Sequence, residues 1–279
     1  MPLIAPVIIC AVFALVAALV WVKGIVFVGK TMAGLTVVHD DTRVMRERIR
    51  VLEVAGTYQS ATYLDDRWAE PVFEYHRLFE HAFDPWAATA ASPRSAAVLG
   101  GGGYALPKHL VAHHGELERI DVVEIDPAIE RIARKHFFLD HLEKTYHAEA
   151  NGRLNLHVAD AYEWLESCDG RFDIIINDCF LALTPEFSLL AHDGAELMHE
   201  HLNENGVYLA NVVSAISGPD SATLAATAEA LAASFSHVWV YSCGLDEPLA
   251  SDNNVMIATD GPHAFAGAWE WPNPPKEAR

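Results

Sequence analysis

Several residues able to hold or attack a small ligand stand at one kind of place in this chain, the end of a short apolar run. Residues 96–99 lead into Gly100, Gly101, Gly102 and Gly103. Glycines there let a backbone approach a ligand closely and take conformations that a side chain forbids. The run does not fit GxGxxG and carries no phosphate-binding lysine, so alone it indicates only a tight turn. Glu124 closes the next apolar run, roughly twenty residues on, where a carboxylate can accept ribose hydroxyls. Asp160 follows residues 154–158 and precedes Ala161. Its carboxylate can accept a hydrogen bond from an adenine amino group or cap the helix behind it, and the two roles are compatible. Asp178 ends the run FDIIIND, where a carboxylate raised into a cleft can act as a base or hold an amine; Asn177 and Cys179 beside it read as structural. Loop and Glu124 together favour a nucleoside ligand. They do not separate a dinucleotide from S-adenosylmethionine, although the glycine spacing disfavours an NAD-dependent oxidoreductase.

These positions need a scaffold that lines up strand ends. Residues 96–99, 120–125, 154–158, 172–177 and 207–213 read as strands, with helices over 107–114, 128–137, 161–166, 196–203 and 221–235 and closing strands at 237–242 and 254–259. Pro127 suits the first turn of its helix. This alternation predicts an α/β fold with a doubly wound, mostly parallel sheet, which binds ligands outside the carboxyl ends of its strands. Upstream, residues 48–54 and 57–64 around Ala55-Gly56 read as a β-hairpin. Val72, Phe73, Leu78, Phe79 and Phe83 fall at helical spacing over 70–83. The expected division is an N-terminal segment 1–30; a connector, hairpin and helix over 31–86; a nucleotide-binding core over 94–262; and a tail over 263–279, disordered from Pro272.

With 279 residues, 51% hydrophobic and 20% charged, the chain has room for one α/β domain and a small appendage. A formal charge of -19 repels phosphate backbones, which argues against a nucleic-acid partner, and draws in cationic substrates. Cys10, Cys168, Cys179 and Cys243 form no CxxC pair and the histidines no HExxH; this suits a reducing compartment and predicts no metal, with His113, His114, His199 and His201 as surface residues. From Pro2 to Val22 there is no charged side chain, and the apolar run resumes after Lys23 as far as Lys30. About 20 apolar residues span a bilayer. No basic region precedes the run, as a signal peptide requires, whereas Lys23, Lys30, Arg43, Arg46, Arg48 and Arg50 follow it. The expectation is an N-terminal membrane helix with the catalytic domain on the cytoplasmic side. A buried or partner-facing helix is the alternative.

Taken together, VLGGGGYALPKHL, DVVEIDPAIERIARKHF, LHVADAYEWL and FDIIINDCF resemble the spermidine synthase (polyamine aminopropyltransferase) family over residues 48–260. The resemblance implies a small β-domain ahead of a class I methyltransferase-like core. It implies that Gly100, Gly101 and Gly102 border the nucleotide, that Glu124 holds the ribose, and that Asp160 with Ala161 receives the adenine. Tyr58-Gln59 matches a family context in which Gln59 would contact the nucleotide. Tyr75-His76 matches the family's Tyr-His pair, placing Tyr75 with the catalytic group and His76 with the nucleotide, and Asp178 would deprotonate the attacking amine. The implied co-substrate is S-adenosylmethionine or its decarboxylated form, and the partner a small-molecule acceptor such as a cationic amine; a homodimer is left open.

Departures from the family bear on chemistry. Its glycine loop reads GGGDGG, with the Asp on the aminopropyl group, and that position is Gly103 here. Its DxxDP loop becomes Asp178-Cys179-Phe180-Leu181-Ala182, without the second carboxylate or the proline; no TYPSGxW segment is found, and the β-domain reads as lacking its second hairpin. Asp65, Asp66, Glu70, Glu74 and Glu186 are the reserve carboxylates for a polyamine. An alkyl transferase moving an aminopropyl or methyl group to an amine-type acceptor is therefore expected. A methyltransferase of another acceptor is the chemical alternative, which Gly103 favours because an Asp there would repel the carboxylate of full S-adenosylmethionine. An inactive, membrane-tethered nucleotide-binding protein is the third reading.

Overall fold

The computed structural model describes residues 24–42, 47–87, 91–181, 184–185 and 187–274. It opens with four antiparallel strands in sequential order: β1 (Ile25–Thr31), β2 (Gly34–Asp41), β3 (Ile49–Val54) and β4 (Thr57–Tyr63). The expected hairpin is β3–β4, turning through Ala55 and Gly56 at φ 50° and 85°. The hairpin before it was not foreseen. It supplies the second hairpin that the sequence reads as missing, and β2 occupies the expected connector.

This hairpin also corrects the membrane reading. Residues 25–31 form a strand paired with β2, and its side chains alternate between half-buried and exposed. Apolar content alone does not separate a strand from a helix; the period does, and here it is two. Residues 1–23 lie outside the described residues. Among the described residues no helix is long and apolar enough to cross a membrane, so the membrane anchor and the localisation built on it are withdrawn.

An eight-stranded sheet follows, in the order β14-β12-β13-β11-β8-β5-β6-β7. Strands β5 (Ser95–Leu99), β6 (Arg119–Glu124), β7 (Leu154–Val158), β8 (Phe172–Asn177) and β11 (Leu202–Ser214) run parallel, whereas β13 (Asp252–Thr259), β12 (His237–Ser242) and β14 (Trp269–Glu270) are antiparallel additions, so the sheet is mixed. Two more short strands, β9 (Phe180–Leu181) and β10 (Thr184–Pro185), pair separately. In β8, Ile174 and Ile176 enter one core and Ile175 the other, as a strand covered on both faces requires. From β5 the chain winds outward through β6 and β7 and then returns to β8 on the other side. The crevice at this reversal lies between the ends of β5 and β8, where Gly100 and Asp178 stand.

Three local readings differ. The single helix expected over 70–83 is a short helix Glu74–Leu78 continued by a 3-10 helix Phe79–Trp86 that contains Pro85. Helix Leu139–Tyr146 was not anticipated; Phe138 enters it at φ 64°. The tail adds β14 to the sheet, pairing Trp269 with Val240 and Glu270 with Trp239.

Lys108 in helix Ala105–His113 is only 1% exposed. Its ammonium donates to Thr62 Oγ1 (3.1 Å), the Trp68 carbonyl (3.1 Å) and the Phe137 carbonyl (2.8 Å), joining β4 to the core. These partners include no carboxylate, and burial pushes the Lys108 pKa down to about 7. The unfolded chain keeps that proton up to about pH 10, so between those values the unfolded state binds more protons and this group's contribution to stability rises with pH. Urea unfolding of wild type and Lys108→Met is expected to diverge in favour of wild type above about pH 7, by up to about 1.4 kcal/mol per pH unit. A difference independent of pH would contradict this account of Lys108.

Candidate active site

The glycine loop is shaped by what touches it. Gly100 has φ 96°, and a Cβ there would lie 2.4 Å from the carbonyl oxygen of Asp178. That neighbour is backbone and cannot swing aside, so the close approach of the two strand ends requires glycine. A Cβ at Gly101 would come within 2.9 Å of the Tyr104 ring and 3.1 Å of Glu124 Cβ. Tyr104, fully buried at φ 55°, donates its N–H to the Gly101 carbonyl at 2.7 Å and turns the chain into helix Ala105–His113.

The turn aims two amides at Glu124. Its Oε2 accepts from Gly101 N (3.0 Å) and Gly102 N (3.1 Å), and its Oε1 from Asp126 N (2.9 Å). Burial raises the Glu124 carboxyl, the three amides oppose that shift, and the charge of Asp126 adds to it. A carboxylate offers about four lone-pair positions. Three are used, so Oε1 is ready for one hydroxyl and a second requires release of a glycine amide. Asp126 caps helix Pro127–His136 through Ala128 N (2.8 Å) and accepts the Met32 amide from the β1–β2 turn. Sequence carried no signal for that contact.

Asp160 caps helix Ala161–Glu166: Oδ1 accepts from Tyr162 N (2.9 Å) and Glu163 N (3.1 Å), and Oδ2 takes neither bond. Asp160 and Ala161 border the same cavity as Glu124. The carboxylate of Asp178 is gripped from three directions. Tyr75 Oη donates to Oδ2 at 3.1 Å, His76 Nε2 lies 3.1 Å from the same oxygen, and Asn211 Nδ2 donates to Oδ1 at 2.9 Å. His76 thus meets Asp178 and also borders the cavity with the residues expected at the nucleotide. Burial, reinforced by the Asp178 charge, lifts the Tyr75 hydroxyl well above its ordinary pKa, so Tyr75 remains a donor. Asn211 was missed; its signal is a polar side chain buried in the apolar run of β11. Its Oδ1 is buried without a hydrogen-bond partner. Asn177 bonds Tyr208 and receives the Cys179 amide, which serves the fold.

One cavity of about 730 Å³ joins these groups, with Gln59, Gly100, Gly101 and Gly102 in its wall. Glu74 and Asp252 border it beside Cys243, whose thiol is pushed up to about 12 by burial and then by the charges of Glu74 and Asp252. Asp252 was not foreseen, because β13 carries it in from far along the chain. Of the other reserve carboxylates, Asp65 pairs with Arg67, Asp66 is exposed, Glu70 turns to His109 and His113, and Glu186 lies outside the described residues. At Gly103 a Cβ would lie 2.6 Å from Ser60 Oγ and 3.2 Å from the Phe137 ring, so β4 fills the space an aspartate would need.

The sheet order defines the class: a methyltransferase-like α/β fold with an N-terminal β-sheet packed over its crevice. Residues 72–225, more than half of the chain, match the model of the spermine/spermidine synthase domain, and the chain belongs to that family. It is 30% identical over 161 residues to the polyamine aminopropyltransferase of Pectobacterium atrosepticum, a match covering 58% of this chain and 51% of that protein. The chain thus spans about half the length of the curated relatives it matches. A probable spermidine synthase from Corynebacterium glutamicum superposes with a TM-score of 0.69 at 20% identity, covering 85% of this chain and 81% of the other. Human methyltransferase-like protein 13, in complex with SAH, shares the fold with a TM-score of 0.53 at 20% identity, covering 69% and 85%.

Gly100→Ala is expected to cost about 3 kcal/mol or more in urea unfolding, because strain at positive φ adds to a backbone clash. Gly102→Ala, whose Cβ would meet nothing closer than 3.8 Å, is expected to cost only about 1–2 kcal/mol. Equal costs would contradict the close approach of Gly100 to Asp178.

Proposed function

We propose that this chain binds an S-adenosyl sulfonium compound in the cavity and transfers an alkyl group from it, an aminopropyl group first among the candidates, to a small cationic amine. The observation that carries the reading is charge. Among the described residues, Glu74, Glu124, Asp126, Asp160, Asp178 and Asp252 border the cavity, and no lysine or arginine does. Such a wall attracts a sulfonium and an ammonium and repels a free carboxylate. Decarboxylated S-adenosylmethionine therefore fits better than the full compound. Glu74, one of the reserve carboxylates of the sequence, and Asp252, which was not among them, offer the additional charges a polyamine needs.

In this reading Glu124 takes the ribose, Asp160 beside Ala161 the adenine amino group, and Gln59 and the glycine loop border the nucleoside. Asp178 receives a proton from the acceptor ammonium. The freed amine attacks the carbon beside the sulfur, the C–S bond breaks with its electrons staying on sulfur, and a neutral thioether leaves. Tyr75, His76 and Asn211 hold the Asp178 carboxylate in one orientation. Transfer of a methyl group is the second reading, supported by Gly103, where the family's aspartate has no room.

Isothermal titration with decarboxylated S-adenosylmethionine, S-adenosylmethionine and 5′-methylthioadenosine separates these readings. The decarboxylated form is expected to bind at least about tenfold tighter than the full compound, the equivalent of ~1.4 kcal/mol. Asp178→Asn is expected to keep that binding and lose about 10²- to 10⁴-fold in amine transfer. Tighter binding of full S-adenosylmethionine would favour methyl transfer, and undiminished turnover by Asp178→Asn would remove Asp178 as the base.

A further inference from the structure

Outside the cavity, two carboxylates and three histidines meet where helix Ala105–His113 faces the segment after β4. The sequence reading left His113 and His114 on the surface because no ligand spacing was evident. The fold brings Glu70 and Glu80 to them. His113 Nε2 lies 2.8 Å from Glu70 Oε1, His109 Nδ1 3.6 Å from Glu70 Oε2, and His109 Nε2 2.7 Å from Glu80 Oε1. His109 and His113 are one helical turn apart, with ring centroids 4.5 Å from each other. The donor atoms of Glu70, His109 and His113 all lie within 4.8 Å of one another.

The second observation is an unsatisfied atom. His109 is 7% exposed, and its Nδ1 is buried without a hydrogen-bond partner. When Nε2 donates its hydrogen to Glu80, neutral His109 turns the Nδ1 lone pair toward the Glu70 carboxylate. A buried lone pair facing a carboxylate calls for a cation between them. The nearby guanidiniums do not supply it. Arg67 is bound to Asp65 and Glu47, and Arg77 to the Pro71 carbonyl and Tyr63 Oη. Glu80 Oε1, 2.7 Å from His109 Nε2, takes that hydrogen and fixes the tautomer, as carboxylates behind metal-bound histidines do.

We propose that Glu70, His109 Nδ1 and His113 Nε2 form a binding site for one divalent transition-metal ion of the zinc type, with Glu80 orienting His109 from behind. Two imidazoles and a carboxylate suit zinc, which takes such ligands at about 2.0–2.2 Å and adds water in the remaining position. The ion ties the segment carrying Glu70 to the helix that begins at the glycine loop. That segment continues into Tyr75 and His76, so the ion braces the residues that grip Asp178 without entering the cavity.

The test is titration of the full chain, free of any affinity tag, with Zn²⁺ followed by calorimetry and with Co²⁺ followed by its visible absorption. One equivalent is expected to bind. The His113 side chain is 44% exposed and Glu70 40%, so both can be changed without opening the core. His113→Ala and Glu70→Gln are each expected to weaken Zn²⁺ at least tenfold and to lose the rise in Tm that Zn²⁺ gives wild type, whereas His114→Ala stays within about threefold. No binding by wild type would overturn the site, as would binding unchanged in His113→Ala and Glu70→Gln, or affinity lost only in His114→Ala.

Discussion

Much of this molecule depends on one buried carboxylate. Glu124 accepts three backbone amides, two of them from the glycine loop, and so fixes the loop where β5 hands over to its helix. With the loop held there, Gly100 lies against the Asp178 backbone, and the ends of β5 and β8 meet through the bond from Asp178 N to the Leu99 carbonyl at 2.8 Å. Asp126, next but one in sequence, captures the β1–β2 turn. A single strand end therefore sets the glycine loop, the crevice and the docking of the N-terminal sheet.

Asp178 is the complementary case. Its carboxylate is held by Tyr75 and His76 from the segment after β4 and by Asn211 from β11, so three parts of the chain must fold before it is oriented. Fixed dipoles around a charge need no reorganisation at the moment of reaction, which is what the proposed role of Asp178 as base calls for. Both carboxylates border one cavity, Glu124 at the end of β6 and Asp178 just past the end of β8, with Glu74 and Asp252 in the same wall. The acidic wall supplies negative charge along the cavity, which is what the proposed cationic substrates require.

How much of this was legible in the sequence follows from what is local. Glu124, Asp160 and Asp178 each close an apolar run and precede a turn or helix, so their places at strand ends could be read without the fold. Asp252 and Met32 could not: each reaches the cavity through a strand or a turn paired far along the chain, and register leaves no local mark; Asn211 left one, a polar residue in the apolar run of β11, but not its partner. The membrane reading failed where a strand of alternating Ile, Val and Phe looked like the end of an apolar helix. Gly103 shows the reverse. The sequence identifies the missing aspartate, and only the packing of Ser60 and Phe137 shows that the position has no room for one.

In the proposed function Glu124 and Asp178 serve one sulfonium-nucleoside site. A crystal structure of the chain with 5′-methylthioadenosine tests it most directly. A ribose hydroxyl is expected on Glu124 Oε1, the adenine amino group at Asp160, and the thioether sulfur directed toward Asp178. A nucleoside bound elsewhere, or lying in the cavity with its sulfur turned away from Asp178, would contradict it.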